Sequence, residues 1–199
     1  MNDNYNIIHE YITGSSEKFE VAWEIHENFD KIKASLIEIL FNKLELNFKS
    51  KLPNNFEIQN DKQFHIYKKT WNHKNQDIDT TTGLFSYCIE SDISGLYFGI
   101  KRACLSSTIF SMKNIESKLS HEEAELVQSI TSLNYKNSDW WLAYKNFDKF
   151  RYFTKDMFLQ ILKEPAVIVD YYSQNLLDVI EKTEKQIDEY CKFYKANYS

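Results

Sequence analysis

The sequence predicts an α+β fold, in which a small antiparallel sheet of three or four strands packs against two long helices at the chain ends and one or two shorter helices. Apolar residues near both ends recur at three- and four-residue intervals, which is the period of a helix. The middle of the chain alternates apolar and polar residues and is rich in aromatics, which is typical of strands. Only four Gly and two Pro interrupt these patterns.

The composition excludes several classes of protein. With 43% hydrophobic and 16% aromatic residues, a chain of 199 residues can bury a large core, so it is not intrinsically disordered. Its formal net charge of -5 argues against a general nucleic-acid binder, which usually carries a basic footprint. The compact apolar run at residues 166–169 is far shorter than the ~20 residues of a membrane-spanning helix. We therefore expect no membrane association, and nucleic acid is not a favoured partner.

Cysteine usage and the N-terminus indicate the compartment. The three cysteines, Cys88, Cys104 and Cys191, are scattered and form no C-x-x-C motif, which is typical of reduced thiols. The first residues lack the basic start and apolar run of a secretory signal peptide. We expect a cytoplasmic protein.

The first long helix is predicted to span residues 15–48. Residues 1–14 form a polar N-terminal segment in this interpretation, and residues 15–199 form a single domain. Ser15 or Ser16 can cap the helix, because a serine hydroxyl satisfies a free backbone N–H at a helix start. Its apolar face consists of Phe19, Ala22, Phe29, Ile32, Leu36, Ile39 and Leu40.

The predicted sheet comes from the middle of the chain. Residues 63–71, 83–90 and 96–102 are predicted strands, and the last two form a hairpin across a five-residue turn that ends in Gly95. Residues 56–58 can add a short edge strand.

The C-terminal third is predicted to be helical again. Ser120 and Glu123 form a capping box, which starts a helix that runs to about residue 133. An aromatic connector, residues 134–153, leads to a short helix from Thr154. Pro165 suits the first position of a final long helix. The inward stripe of that helix is Ile168, Tyr172, Leu176, Val179, Ile180, Thr183, Ile187 and Tyr190.

No complete catalytic motif accompanies this fold. The five histidines form no H-E-x-x-H motif, and neither a phosphate-binding glycine loop nor a G-x-S-x-G elbow is present. In a PD-(D/E)-x-K nuclease, acids on neighbouring strands hold a divalent cation and a lysine steadies the developing charge. Gly99 stands where this pattern requires an acid before Lys101. We therefore expect no metal, no cofactor and no catalytic residue.

Aromatic residues are the most unusual feature of the sequence. In a first interpretation they form the core, since Trp and Phe bury large areas. In a second, they line a groove on which a base or a peptide stacks. In the second interpretation Lys68, Lys69, Lys101 and Arg102 rim the groove. A strand face that is both aromatic and wet is a binding surface. The candidate binding residues are Trp71, Tyr87, Lys101, Arg102, Trp140, Trp141 and Tyr144.

Four linked segments carry a family resemblance. They are Phe64-x-Ile66-x5-Trp71, Phe85-Ser86-Tyr87-Cys88-Ile89-Glu90, Leu96-Tyr97-Phe98-Gly99-Ile100 and Trp140-Trp141-x-x-Tyr144. Together they resemble the C-terminal region of an uncharacterised bacterial family of the PD-(D/E)XK nuclease superfamily, over roughly residues 17–195. The nuclease motifs of that family belong to its N-terminal half, which has no counterpart in this chain. The resemblance therefore implies a tail-like module that serves recognition or assembly beside defence or mobile-element genes, and it transfers no catalytic residue.

These observations favour a non-enzymatic, cytoplasmic binding or accessory protein that docks a protein partner in phage–host conflict. It would be a defence component, an inhibitor or an immunity protein. One alternative is a metal-dependent nuclease, or a degenerate relative of one, that uses Glu90, Asp92, Glu116 and Lys118 or Lys101. Another is a nucleotide-binding or base-stacking module built on Trp71, Trp140 and Trp141. Self-association is open, because long exposed helices can pair.

Overall fold

A computed structural model describes residues 3–60, 63–71, 84–92, 95–102, 120–138 and 140–198. The chain divides into two compact units between Ile39 and Leu40. We call residues 3–39 the N-terminal unit and residues 40–198 the C-terminal unit. The predicted polar loop at residues 72–82 and the tip of the predicted hairpin turn, residues 93 and 94, lie outside the described residues.

The N-terminal unit consists of helix α1, Asp3–Thr13, and the first part of helix α2, Ser16–Lys51. Ser15 caps α2, as predicted, because its hydroxyl accepts a hydrogen bond from the Lys18 backbone N–H at 3.2 Å. Residues 3–13 are helical, although the sequence predicts only a polar segment there. The boundary predicted between residues 14 and 15 falls within this unit.

The sheet of the C-terminal unit is antiparallel, with its strands in chain order. The α+β class is confirmed, but the predicted count of three or four strands is wrong, because the described residues alone form five. The fifth strand lies in the stretch predicted as a connector, where it pairs with the fourth. The short edge strand expected at residues 56–58 is present. The strands are β1 (Phe56–Asn60), β2 (Phe64–Lys68), β3 (Phe85–Asp92), β4 (Gly95–Arg102) and β5 (Trp141–Asn146).

The described part of this unit also contains a short 3-10 helix, Lys69–Trp71, and three α-helices: α3 (His121–Ser132), α4 (Lys155–Lys163) and α5 (Pro165–Tyr198). The predicted capping box is confirmed, since Ser120 Oγ accepts from the Glu123 N–H at 3.2 Å and Glu123 Oε2 accepts from the Ser120 N–H at 2.8 Å. None of the described helices combines enough length with enough apolar character to cross a bilayer.

The core lies between one face of the sheet and two helices. Phe64 of β2 contacts the rings of Phe41 and Phe48 on the last part of α2, at centroid distances of 5.8 and 5.6 Å. Phe85 of β3 contacts Tyr190 of α5 at 5.7 Å. The whole inward stripe predicted for α5 is buried. The helix pair therefore covers one face of the sheet, as the sequence predicts, with α2 contributing residues 40–48.

Candidate functional site

The N-terminal unit exposes an unusual number of apolar side chains. Eleven large ones expose 36–65% of their surface, against five in the described part of the C-terminal unit. Exposed apolar side chains that lie together mark surfaces that another molecule covers, whereas singly scattered ones are ordinary. The eleven are Tyr5, Ile7, Ile8, Tyr11, Phe19, Val21, Trp23, Ile25, Phe29, Ile32 and Ile39.

Carboxylates border part of this surface. Along α2 a shallow groove is lined by Val21, Ile25 and Ile32, and Glu17, Glu20 and Glu24 lie beside them. Charged groups around an apolar strip give such a surface a preference for complementary partners. This part of α2 can therefore bind another helix or an apolar protein surface.

A second candidate region lies on the face of the sheet opposite the core helices. Strand alternation places His65 on that face, while Phe64 and Ile66 point into the core. The register of the strands sets His65 opposite Cys88, and Ser86 opposite Lys101. We call this region the polar sheet face; it consists of Gln63, His65, Ser86, Cys88, Glu90 and Lys101.

Hydrogen bonds connect these six side chains, Cys88 through a 4.0 Å contact between its Sγ and His65 Nε2. The Lys101 ammonium lies 2.9 Å from Glu90 Oε2 and donates to Gln63 Oε1 at 2.6 Å. The Gln63 amide donates to Glu90 Oε1 at 2.6 Å. The two ring nitrogens of His65 lie 3.0 Å from Ser86 Oγ and 3.1 Å from Gln63 Oε1. These groups satisfy one another, so they form a structural network that orders the face.

A metal centre is not assembled here from the residues that the structure describes. Among them, no group of three His, Cys, Asp or Glu side chains lies close enough together to hold a metal ion. Two residues weighed for nuclease chemistry, Glu116 and Lys118, lie outside the described ranges.

Three of the predicted binding residues meet beside the polar sheet face. The Lys101 ammonium lies 5.7 Å from the centroid of the Trp141 ring. Tyr97 contacts the rings of both Trp141 and Tyr144, at 5.3 and 6.0 Å. Trp141 is buried, and Tyr144 is half-buried.

The other four predicted residues are placed elsewhere. Trp71 is fully buried and donates its indole N–H to Asp188 at 2.7 Å. Tyr87 is also fully buried, on the core face of the sheet. Trp140 is 55% exposed, and Arg102 is half-buried at the end of β4. The seven residues therefore do not form one surface.

Two features escaped the sequence reasoning. The exposed apolar side chains of α1 lie in a stretch predicted to be merely polar, although Tyr5, Ile8 and Ile12 follow helical spacing. The second feature concerns Glu184 and Asp188 of α5, which the inward stripe of that helix does not include. The structure places both against Lys68.

We compared the chain with protein-family models, curated proteins and solved structures, and none of them matches it. The assignment of function therefore depends on the geometry of these two surfaces.

Proposed function

We propose that this protein is a non-enzymatic accessory protein that docks a protein partner through the N-terminal unit. The observation that carries the proposal is the set of eleven exposed, large apolar side chains within residues 3–39. Covering one half-exposed side chain of this size contributes roughly 1 kcal/mol. A partner that covers most of the set therefore gains enough to offset the entropy lost on association.

Helix physics supports the same proposal. Most helices in proteins are stabilised by packing of one apolar face, and isolated helices are marginal in water. Between residues 16 and 39, the described side chains of α2 are exposed or at most half-buried. A partner that packs on this surface would supply the missing stabilisation.

The C-terminal unit supports a scaffold role. Its aromatic core and the network on the polar sheet face hold a five-stranded sheet in one arrangement. The family resemblance of the sequence sets the biological context that we propose, which is phage–host conflict. In that context the protein would act as a defence component, an inhibitor or an immunity protein.

A comparison of variants tests this proposal. Tagged full-length chain is used to capture partners from extracts of its native cells, as wild type, as Ile25→Glu/Ile32→Glu and as Leu162→Glu. Leu162 is a suitable control because it is at least as exposed, at 60% against 51% for Ile25 and 43% for Ile32, but lies on α4, in the other unit. We expect wild type and control to retain one protein in stoichiometric amount, and the double variant to lose it. Retention by all three chains would refute the proposal.

A metal-dependent nuclease, or a degenerate relative of one, is the second candidate, because one contact favours it. Glu90 and Lys101 stand on neighbouring strands as an ion pair, which is the combination of acid and lysine that such a site uses. Cleavage of plasmid DNA in Mg²⁺ or Mn²⁺ tests this candidate. Activity that disappears in Lys101→Met and Glu90→Gln would support it, and activity unchanged by both would remove this pair from consideration.

A further inference from the structure

We infer that the N-terminal unit binds a second copy of this chain, and that the first part of α2 pairs antiparallel with its counterpart. The inference rests on the proposed function, since it names the occupant of the same surface. Three independent properties of residues 16–39 lead to it: the spacing of the apolar residues, their sizes and the distribution of charge.

The spacing is that of a coiled coil. Along α2, six apolar residues are separated by three, four, three, four and three positions, which is the seam of a two-stranded coiled coil. All six are exposed or half-buried. The next position of the repeat on each side is a lysine. Lys18 lies four residues before Ala22, and Lys43 lies four residues after Ile39. We call these six residues the seam: Ala22, Ile25, Phe29, Ile32, Leu36 and Ile39.

Side-chain size favours the antiparallel arrangement. If the two helices run in opposite directions, the layers of the seam pair Ala22 with Ile39, Ile25 with Leu36, and Phe29 with Ile32. The smallest residue, Ala22, then faces a large one, so the layers differ less in volume than they do in a parallel pair. In a parallel pair the smallest residue would face itself and leave a void, while the phenylalanines would crowd one another. Both defects cost stability in a packed interface.

The charge distribution favours the same arrangement. Between residues 16 and 30, α2 carries five carboxylates and one lysine, a net charge of -4. Between residues 31 and 39 it carries two lysines and one glutamate, a net charge of +1. A parallel pair would align the two acidic segments along their whole length. An antiparallel pair places Lys31 and Lys33 of one copy beside the acidic segment of the other, which lowers the repulsion.

The resulting interface has two-fold symmetry and is closed. Each copy presents the same surface, so that a contact from Ala22 to Ile39 is repeated at the opposite end. The seam spans 18 residues, which corresponds to about 27 Å of helix. A dimer therefore covers the seam of both copies, which includes four of the eleven exposed side chains, and leaves neither seam free for a further chain.

Sedimentation equilibrium of the full chain tests the association. We expect a mass near twice 23.8 kDa at micromolar concentration. The variant Ile25→Glu/Ile32→Glu should weaken association by about 100-fold, because it places carboxylates in the seam. The control Leu162→Glu should dimerise like wild type. A wild-type monomer at 100 µM (about a hundred times a micromolar dissociation constant), or a dimer that the double variant leaves intact, would overturn the inference.

Disulfide cross-linking tests the orientation. The experiment uses a Cys104→Ser background, because Cys88 and Cys191 are buried. In an antiparallel dimer, two Ala22→Cys sites lie at opposite ends of the seam, about 25 Å apart, and a disulfide needs Cα atoms within about 7 Å. Ala22→Cys alone should give no linked dimer under mild oxidation, whereas a mixture with Ile39→Cys should give one. Linked dimers of Ala22→Cys alone would overturn the antiparallel arrangement.

The two proposals fail in distinguishable ways. If the chain is a monomer and Ile25→Glu/Ile32→Glu still abolishes capture of another protein, the self-pairing is wrong and the proposed docking function stands. If neither self-association nor capture responds to the double variant, both are wrong.

Discussion

The ammonium of Lys68 lies 2.6 Å from a carboxylate oxygen of Asp188, which joins β2 to α5. Lys68 is only 4% exposed. Burial lowers the pKa of this lysine, but hydrogen bonds to Asp188 and Glu184 outweigh that effect and leave the pKa raised. Asp188 also accepts the indole N–H of Trp71 at 2.7 Å. One carboxylate thus neutralises a buried charge and satisfies a buried donor.

Replacement of Asp188 by alanine should therefore destabilise the protein by about 2–3 kcal/mol, because it leaves a buried indole N–H unpaired and Lys68 with one carboxylate. Urea unfolding followed by tryptophan fluorescence measures the change. The matched control is Glu189→Ala, which removes a loose, exposed pair with Lys185 at 3.9 Å and should cost about 0.5 kcal/mol or less. Similar small losses in both variants would contradict this account of Asp188.

A buried hydroxyl on α5 predicts a stabilising substitution. Ser173 is fully buried, and its Oγ has no hydrogen-bond partner among the residues that the structure describes. Ser173→Ala should raise the free energy of unfolding by about 1 kcal/mol, since it removes an unpaired polar group and adds a better helix former.

Thr183 provides the control for Ser173, because its substitution should change the free energy of unfolding in the opposite direction. Its hydroxyl donates to the Val179 carbonyl at 2.7 Å and lies 3.1 Å from the Tyr87 hydroxyl. Thr183→Val should lower the free energy of unfolding by about 1 kcal/mol, because the Tyr87 hydroxyl loses its partner. A loss of stability in Ser173→Ala would show that this serine is not unpaired in solution.

Alkaline pH should destabilise the protein partly through one cysteine. Burial raises the pKa of the Cys191 thiol from its ordinary value of 9.0 to about 12. The folded state therefore holds this proton more tightly than the unfolded state. The stability that the protonated thiol contributes is complete below pH 9 and is lost as pH rises from 9 towards 12. Tyr87 and Tyr172 add to the loss above pH 10, since burial raises the pKa of both hydroxyls.

Urea unfolding at pH 7.5 and pH 10 separates the part due to Cys191. Between the two pH values, wild type should lose about 1 kcal/mol more than Cys191→Ala. Because each protein is compared with itself at the two pH values, the pH-independent loss of stability caused by the smaller alanine side chain cancels. Equal losses in the two proteins would mean that the thiol is not protected from ionisation.

Gly99 should tolerate no side chain. A Cβ at this position would collide with the Ala143 backbone carbonyl on the neighbouring strand β5. Gly99→Ala should therefore cost about 2 kcal/mol or more, because β5 must move away from β4. Urea unfolding checks the cost, with Ser91→Ala, at an exposed position of β3, as the control. An unchanged stability would show that β5 does not pack this closely.

Much of the fold could be predicted because helices and strands leave strong periodic signals. The inward stripe of α5 and the alternation of β2 to β4 follow directly from burial of one face. Strand β5 could not be recognised, because Trp140 to Tyr144 is a continuous apolar run without a clear period. The helix Asp3–Thr13 was missed because many polar residues separate its apolar ones.

The sites were harder to predict than the fold. A strand pattern shows which residues share a face, but it does not show which face another element covers. Trp71 and Tyr87 thus proved to be core, while Lys101 and Trp141 came together on the opposite face through the register of β4 and β5. The sequence predicts that the apolar face of the first long helix packs on the sheet, whereas between residues 16 and 39 the structure leaves this face exposed or half-buried. Spacing alone cannot say whether the partner of an apolar face lies within the same chain.

Amide hydrogen exchange along α2 tests the central claim most directly, which is that residues 16–39 form an interface. Wild type and Ile25→Glu/Ile32→Glu are compared at the same concentration, and the peptides covering β2 and α5 serve as internal references. We predict that residues 16–39 are protected in wild type and exchange rapidly in the variant, while the reference peptides are unchanged. Identical exchange of residues 16–39 in the two proteins would contradict the account.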